Sequence, residues 1–241
     1  MSFAKKITEK IAGFPKGDIF TYADLSIQKD EYSAASKAIE RLIKKEIIKR
    51  LSPGVFYKAN RTAFGELKPA EEKIITPYLF SRGRRIAYIT GLLLYNKMGL
   101  TTQVPRVLSI ASRDKRIYIS KGNIKATAEK SYVDVTDENY KFLEFLDVLK
   151  DWNKIPDLDR QSGVQILKSR LQRYNEREIE EIIGLALFYP PRVRAFLAAL
   201  IEDVEKKVSL NRLKESLNPF STYNLGLSGT LLPTAKKWRI K

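Results

Sequence analysis

The sequence of 241 residues contains no cysteine and no histidine. Without cysteine, the chain can form no disulfide, no thiolate metal site and no cysteine nucleophile. Without histidine, it has no imidazole ligand for zinc and no imidazole base that titrates near neutral pH. An enzyme built from this chain would therefore have to work with carboxylates, lysine, tyrosine or serine.

Long apolar runs are also missing. No stretch approaches the roughly 20 apolar residues that a membrane-spanning helix needs. The residues that follow Met1 do not form the apolar segment of a secretory signal. We therefore expect a cytoplasmic protein that does not bind membranes. Apolar residues still make up 44% of the chain, which is enough for a packed core.

Positive charge is abundant and unevenly distributed. The chain has 44 Lys and Arg against 28 Asp and Glu, a net charge of +16. Residues 1–68 carry 14 basic and 8 acidic side chains, and residues 82–130 carry 11 and 2, whereas residues 131–241 carry 18 and 16. A polyanion is therefore the expected partner of the amino-terminal half.

The clearest pattern lies in residues 17–58. Thr21 and Asp24 have the spacing of a capping box, which predicts a short helix from Tyr22. Apolar side chains then recur at the helical period. They are Ala35, Ala38, Ile39, Leu42 and Ile43. Two strand-like segments, 47–51 and 55–57, flank a Ser-Pro-Gly turn. This order predicts a winged helix-turn-helix, with a small helical domain of ordinary charged surface as the alternative.

A winged helix-turn-helix places the start of its second helix in the major groove, and its hairpin beside the DNA backbone. Serine, lysine and arginine can bind base edges or phosphates there. The candidate DNA-binding residues are Ser33, Ser36, Lys37, Arg41, Lys44, Lys45, Lys49, Arg50 and Ser52.

The rest of the chain predicts an α+β fold that is mostly helical. Residues 1–68 are the winged helix, residues 69–136 a small mixed α/β region and residues 137–241 a helical bundle. A helix is expected over 88–100, followed by strands near 103–104, 107–110, 116–119 and 124–127. Gly122 and Asn123 are expected to form a hairpin turn.

A second group of basic residues surrounds the predicted strands of the middle region. They are Arg84, Arg85, Arg106, Arg113, Lys115, Arg116 and Lys121. Charged edges of this kind can simply prevent aggregation of a sheet. The same residues could instead form a second surface that faces nucleic acid or an acidic protein.

No glycine-rich phosphate loop is present. Asp157 and Asp159 form the only Asp-x-Asp motif of the sequence, which could hold Mg²⁺ with Asp134 or Asp137 as a further ligand. The alternative for this pair is a loop that caps a helix. We expect no catalytic residues, no metal and no cofactor, and a nucleic-acid enzyme is the last of the hypotheses.

Several longer segments carry a family resemblance. They are GLTTQVP (99–105), YPPRVRAFLAAL (189–200), SLNPFSTYNLGL (216–227) and the closing Leu232, Pro233 and Trp238. Together with FTYADL (20–25) and residues 37–58, they resemble AbiEi-type antitoxins of type IV toxin–antitoxin systems.

The resemblance implies a protein of two parts. The winged helix would bind inverted repeats in its own promoter, and two copies would pair on that DNA. Residues 69–241 would counter a co-encoded nucleotidyltransferase toxin, generally without a stable complex. The alternative is a winged-helix transcription regulator whose carboxyl-terminal part is a sensor or interaction domain.

Overall fold

The computed structural model describes residues 3–28, 30–62, 65–67, 69, 71–121, 124–227 and 229–241, and the fold is mixed α/β. The chain divides into two compact units, Met1–Arg85 and Ile86–Lys241. The three-part division, with boundaries after residues 68 and 136, stays a prediction.

Among its described residues, the first unit combines three α-helices and a short 3-10 helix, Thr76–Leu79, with short antiparallel strands. The helices are α1 (Phe3–Ala12), α2 (Tyr32–Lys44) and α3 (Glu71–Ile75). The strands are β1 (Ile19–Thr21), β2 (Ile48–Ser52), β3 (Val55–Lys58), β4 (Asn60–Thr62), β5 (Gly65–Leu67), β6 (Phe80–Ser81) and β7 (Arg84–Arg85). A three-stranded sheet has the order β1-β3-β2, and β4–β5 and β6–β7 are separate two-stranded pairs.

The core of the first unit lies between α1, α2 and the three-stranded sheet. Its buried side chains include Ile7, Ile11, Phe20, Leu25, Ala35, Ala38, Ile39, Leu42, Ile48 and Phe56. The apolar stripe of α2 supplies four of them, as its period predicts. Ser52 pairs with Val55 across the β2–β3 turn, and Gly54 has a φ of +74°, which a residue without a side chain adopts readily.

The predicted short helix from Tyr22 is wrong. The backbone forms two successive tight turns instead, in which Leu25 N donates to Tyr22 O and Ser26 N to Ala23 O. The capping contact does form, because Thr21 N and Oγ1 donate to Asp24 Oδ2 at 2.6 and 2.8 Å. Ser26 then takes a φ of +54°, which ends the turn before a regular helix can grow.

The second unit places a four-stranded sheet against helices. Its strands are β8 (Ala87–Thr90), β9 (Leu108–Ser112), β10 (Ile119–Lys121) and β11 (Ile124–Lys130). Its helices are α4 (Leu92–Lys97), α5 (Tyr140–Asp151), α6 (Arg160–Arg173), α7 (Glu176–Ala186), α8 (Pro191–Asp203) and α9 (Asn211–Glu215). The sheet order is β10-β11-β9-β8, with β9 and β11 parallel and the other pairs antiparallel.

Helix α8 lies at the centre of the second core. Every residue from Ala195 to Ile201 is buried, and α5, α6, α7 and α9 contact this helix. The closing segment also joins the core, since Leu225, Leu232 and Trp238 are buried there.

Two predictions for the start of this unit need correction. The helix expected over 88–100 is strand β8 in its first part, because Tyr88, Ile89 and Thr90 pair with β9. Gly91, with a φ of +70°, separates this strand from the short helix α4. Residues 103–104 form no strand. The turn predicted at Gly122 and Asn123 lies outside the described residues.

Among the helices that the structure describes, none combines the length and the apolar character needed to cross a membrane.

Candidate functional site

The outward face of α2 is the first candidate site. Ser33, Lys37 and Arg41 are exposed, Ser36 is half-buried, and all four lie opposite the buried stripe of the helix. Lys44 and Lys45 continue the exposed basic surface at the end of the helix. In the part of the chain that the structure describes, none of these cations forms an ion pair. Their charges are therefore available to an external anion.

The β2–β3 hairpin follows α2 directly and carries the remaining predicted contacts. Arg50 is exposed, and its guanidinium carbon lies 5.7 Å from the centre of the Phe56 ring. The side chain of Ser52 lies outside the part that the structure describes. The hairpin thus adds an exposed guanidinium group shortly after the basic end of α2 in the sequence.

Lys49 differs from the other predicted contacts, because its ammonium group forms an ion pair with Glu66. The Tyr57 hydroxyl donates to the same carboxylate at 2.8 Å. The bond from Lys49 holds the pKa of Glu66 below its ordinary value. Burial, together with the bond to Glu66, raises the pKa of Tyr57 to about 12. An anion at Lys49 would therefore compete with an internal partner.

The second predicted basic group is divided between the two units. Arg84 and Arg85 form β7 in the first unit, and the guanidinium of Arg85 lies 4.6 Å from the centre of the Phe80 ring. Arg106, Arg113, Lys115 and Arg116 are exposed around β9 in the second unit. Arg113 lies 3.7 Å from the carboxylate of Asp134. The side chain of Lys121 lies outside the part of the chain that the structure describes.

The acidic pair at 157 and 159 has structural contacts. Asp159 caps α6, because its carboxylate accepts a bond from Ser162 N at 3.1 Å. Asp157 accepts a bond from Gln103 Nε2 at 2.7 Å. Within the described residues, no group of three or more acidic side chains converges to hold a metal ion. The helix-capping interpretation of this pair is confirmed for Asp159.

A buried charge network in the second unit was missed from the sequence. Asp147 in α5 is 1% exposed and accepts four bonds. Its donors are the Tyr88 hydroxyl at 2.9 Å, the Thr90 hydroxyl at 2.7 Å, the Lys150 ammonium at 2.9 Å and the Tyr189 hydroxyl at 3.4 Å. One signal was available, since Asp147 interrupts the apolar residues of α5.

The network continues to the end of α5 through Asp151. Its carboxylate accepts a bond from the Tyr95 hydroxyl at 3.0 Å and lies 3.0 Å from Lys154 and 3.5 Å from Lys150. Burial disfavours both charges, but the mutual attraction outweighs it. The pKa of Lys150 therefore lies above its ordinary value, and the pKa of Asp151 lies below its own. The two groups therefore stabilise each other's charged forms at the end of α5.

This network borders a cleft of about 600 Å³ within the second unit. The cleft is lined by Thr90, Gly91, Tyr95, Ser109, Glu129, Lys130, Tyr132, Lys150, Asp151, Lys154 and Arg192. Its volume lies in the range of small-molecule sites.

Comparison with known proteins adds one match. A family model described as a family of unknown function, DUF6088, matches residues 6–150. The matched range includes α2, the β2–β3 hairpin, and Asp147 and Lys150 of the buried network. No curated protein matches the sequence.

Proposed function

The chain belongs to DUF6088, a family of unknown function, and from that premise we propose that it is a DNA-binding transcriptional autorepressor and antitoxin. Its operator would be an inverted repeat in duplex DNA. Its antitoxin activity would counter a co-encoded nucleotidyltransferase toxin, without a stable complex between the two proteins. Both activities belong to the cytoplasm.

The DNA-binding part of this proposal rests on the exposed cations of α2, for which the described residues provide no ion-pair partner. Lys37, Arg41 and Lys44 project from the face opposite the core, so a phosphate backbone could reach them without any rearrangement of the unit. Phosphate contacts of this kind supply most of the affinity of DNA-binding proteins. Ser33 and Ser36 lie nearer the start of the helix, where base edges would be contacted.

The order of the elements supports a winged helix-turn-helix. A helix, a strand, a turn, a second helix and a β-hairpin follow one another, and β1 joins the hairpin as its third strand. In such domains the second helix enters the major groove. An inverted-repeat operator would then hold two copies about 34 Å apart, one helical turn of DNA.

A gel shift with the DNA upstream of the gene tests this proposal. Glutamate replaces Lys37, Arg41, Lys44 and Arg50 together, and the expected result is complete loss of the specific shift. The reason is that four attractive phosphate contacts become repulsive. For single alanine variants, each lost contact should flatten the slope of log K against log salt concentration by roughly 0.9.

A matched variant controls for the change in net charge. Arg177, Lys207, Arg212 and Lys236 are exposed basic residues of the second unit, and their replacement by glutamate changes the charge equally. This control should keep its shift. Equal binding by both quadruple variants would contradict the assignment of α2 as the DNA-contacting helix.

The antitoxin part of the proposal is supported by the resemblance of residues 99–105, 189–200 and 216–227 to AbiEi-type antitoxins. Co-expression with the neighbouring gene separates it from repression. We expect a form that lacks residues 1–68 to lose repression of the promoter and still to rescue growth from the toxin. Rescue that requires residues 1–68 would place neutralisation in the DNA-binding part instead.

A transcription regulator with a sensor unit is the second candidate, and the cleft of about 600 Å³ in the second unit favours it. The neighbouring gene distinguishes the two functions. A nucleotidyltransferase gene directly downstream supports the antitoxin, whereas an enzyme or transporter gene supports the sensor.

A further inference from the structure

One charged side chain that lines the cleft of the second unit is restrained by its neighbours. Lys150 lines this cleft with a side chain that is 15% exposed, and Asp147 and Asp151 hold its ammonium group in place. Each of these carboxylates is itself held by tyrosine hydroxyls. Because two carboxylates offset the charge of Lys150, the attraction for an anion must come from the other cations of the lining.

Three further cations line the cleft, and one of them, Lys154, belongs to the charge network. Arg192 donates from Nη2 to the Lys150 carbonyl oxygen at 3.0 Å, which orients its guanidinium group, and no described carboxylate forms an ion pair with it. Lys130 is exposed, and the described residues offer it no ion-pair partner. Lys154 is 73% exposed and pairs with Asp151. Glu129 is the acidic residue on the lining besides Asp151.

The lining near the end of β8 is formed by Gly91 and by the small side chains of Thr90 and Ser109. Gly91 has a φ of +70°, and a Cβ at this position would lie 3.0 Å from Ser109 Oγ. A larger residue would therefore disturb the lining where β8 ends. Ser109 adds a hydroxyl group that could donate to an oxygen of an anion, whereas the Thr90 hydroxyl already donates to Asp147.

We propose that this cleft binds a small organic phosphate, with Lys130 and Arg192 as the main contacts of the phosphate group and Lys154 as a further cation. A phosphate carries enough negative charge to engage several cations at once, and arginine can bind it through two parallel bonds. Phosphate alone would fill only part of about 600 Å³. The rings of Tyr95 and Tyr132 also line the cleft, which suits an organic substituent. The proposal does not depend on DNA binding by α2.

Amide chemical shifts of the full chain during titration with phenyl phosphate test this site. We expect saturable shifts at Gly91, Ser109, Lys130 and Tyr132. Inorganic phosphate should compete with phenyl phosphate at low concentration and reverse these shifts. The Lys130→Ala, Arg192→Ala double variant should raise the dissociation constant at least about tenfold, because two charge-assisted bonds are lost. Lys130→Ala alone, which removes no described internal contact, should already weaken binding.

A control variant with the same change in net charge shows whether the loss of binding is specific to the cleft. The Arg177→Ala, Lys207→Ala double variant removes two exposed cations that do not line the cleft, and its dissociation constant should equal that of the native chain. The proposal is overturned if the cleft amides do not shift, or if both double variants bind alike. Shifts confined to α2 would also overturn it, since they would report phosphate on the proposed DNA-binding face only.

Discussion

At the scale of single residues, Asp147 shows how a buried charge can be tolerated. Its carboxylate is 1% exposed, yet three hydroxyl groups and one ammonium group donate to it. A buried charge without partners is strongly destabilising, whereas a fully hydrogen-bonded one is not. Asp147 therefore joins β8, α5 and the start of α8 into one polar network inside the second core.

Removal of this carboxylate should make the second unit less stable against unfolding. Asp147→Ala leaves the Lys150 ammonium partly buried without its main partner, and should lower the free energy of unfolding by about 3–5 kcal/mol. Denaturation by urea, followed by tryptophan fluorescence, measures this loss. The probe is specific because both tryptophans of the chain, Trp152 and Trp238, lie in the second unit.

Asp134→Ala provides the matched control. The side chain of Asp134 is 85% exposed and lies near Arg113 at 3.7 Å. Exposed pairs of this kind contribute little, so the free energy of unfolding should change by less than about 0.5 kcal/mol. Similar losses in the two variants would show that the Asp147 network does not stabilise the fold.

The two candidate sites differ in how well they can be predicted from the sequence. The basic residues of α2 follow from local periodicity, because Lys37 and Arg41 must face away from a stripe that is buried. The partners of Asp147 lie 59, 57 and 42 residues away in the chain, at Tyr88, Thr90 and Tyr189. No local pattern encodes such a contact, and only the packing of α5 against β8 and α8 brings these groups together.

At the scale of elements, two helix glycines make a direct test of packing. A Cβ on Gly163 in α6 would lie 2.8 Å from the Trp152 ring and 3.0 Å from a methyl group of Leu158. A Cβ on Gly184 in α7 would have no atom within 4 Å. Alanine is the better helix former at either position, so only the local packing distinguishes the two sites.

We therefore expect opposite effects from the same substitution. Gly163→Ala should lower the free energy of unfolding by about 1–3 kcal/mol, because the new methyl group overpacks the core. Gly184→Ala should raise it by roughly 0.5–1 kcal/mol through helix propensity. The fluorescence-detected urea transition measures both values, and a shift in the same direction for both variants would contradict the packing described for α6.

The elements themselves were predictable where the apolar period is long. Helix α5, Tyr140–Asp151, lies within residues 137–241, which the sequence predicts to be helical. Strand β8 was mistaken for the start of a helix, because Tyr88 and Ile89 suit either structure and the run is short. Pairing with β9, which lies some twenty residues further along, decides in favour of the strand.

At the scale of the whole molecule, both units are basic. Residues 1–85 carry 18 Lys and Arg against 10 Asp and Glu, and residues 86–241 carry 26 against 18, so each unit has a net charge of +8. The first unit holds this charge on roughly half as many residues. Its stronger field would steer duplex DNA towards it during association.

The most direct test of the central proposal is photo-cross-linking from the outward face of α2. Benzoylphenylalanine is introduced at Ser33, which is exposed, or at Arg177 on α7 as the control. Irradiation of the full chain with labelled upstream DNA should give a covalent adduct from position 33 but not from position 177, and unlabelled operator should abolish it. Specific DNA binding by the position 33 variant without any adduct would contradict the proposal that α2 lies against the operator.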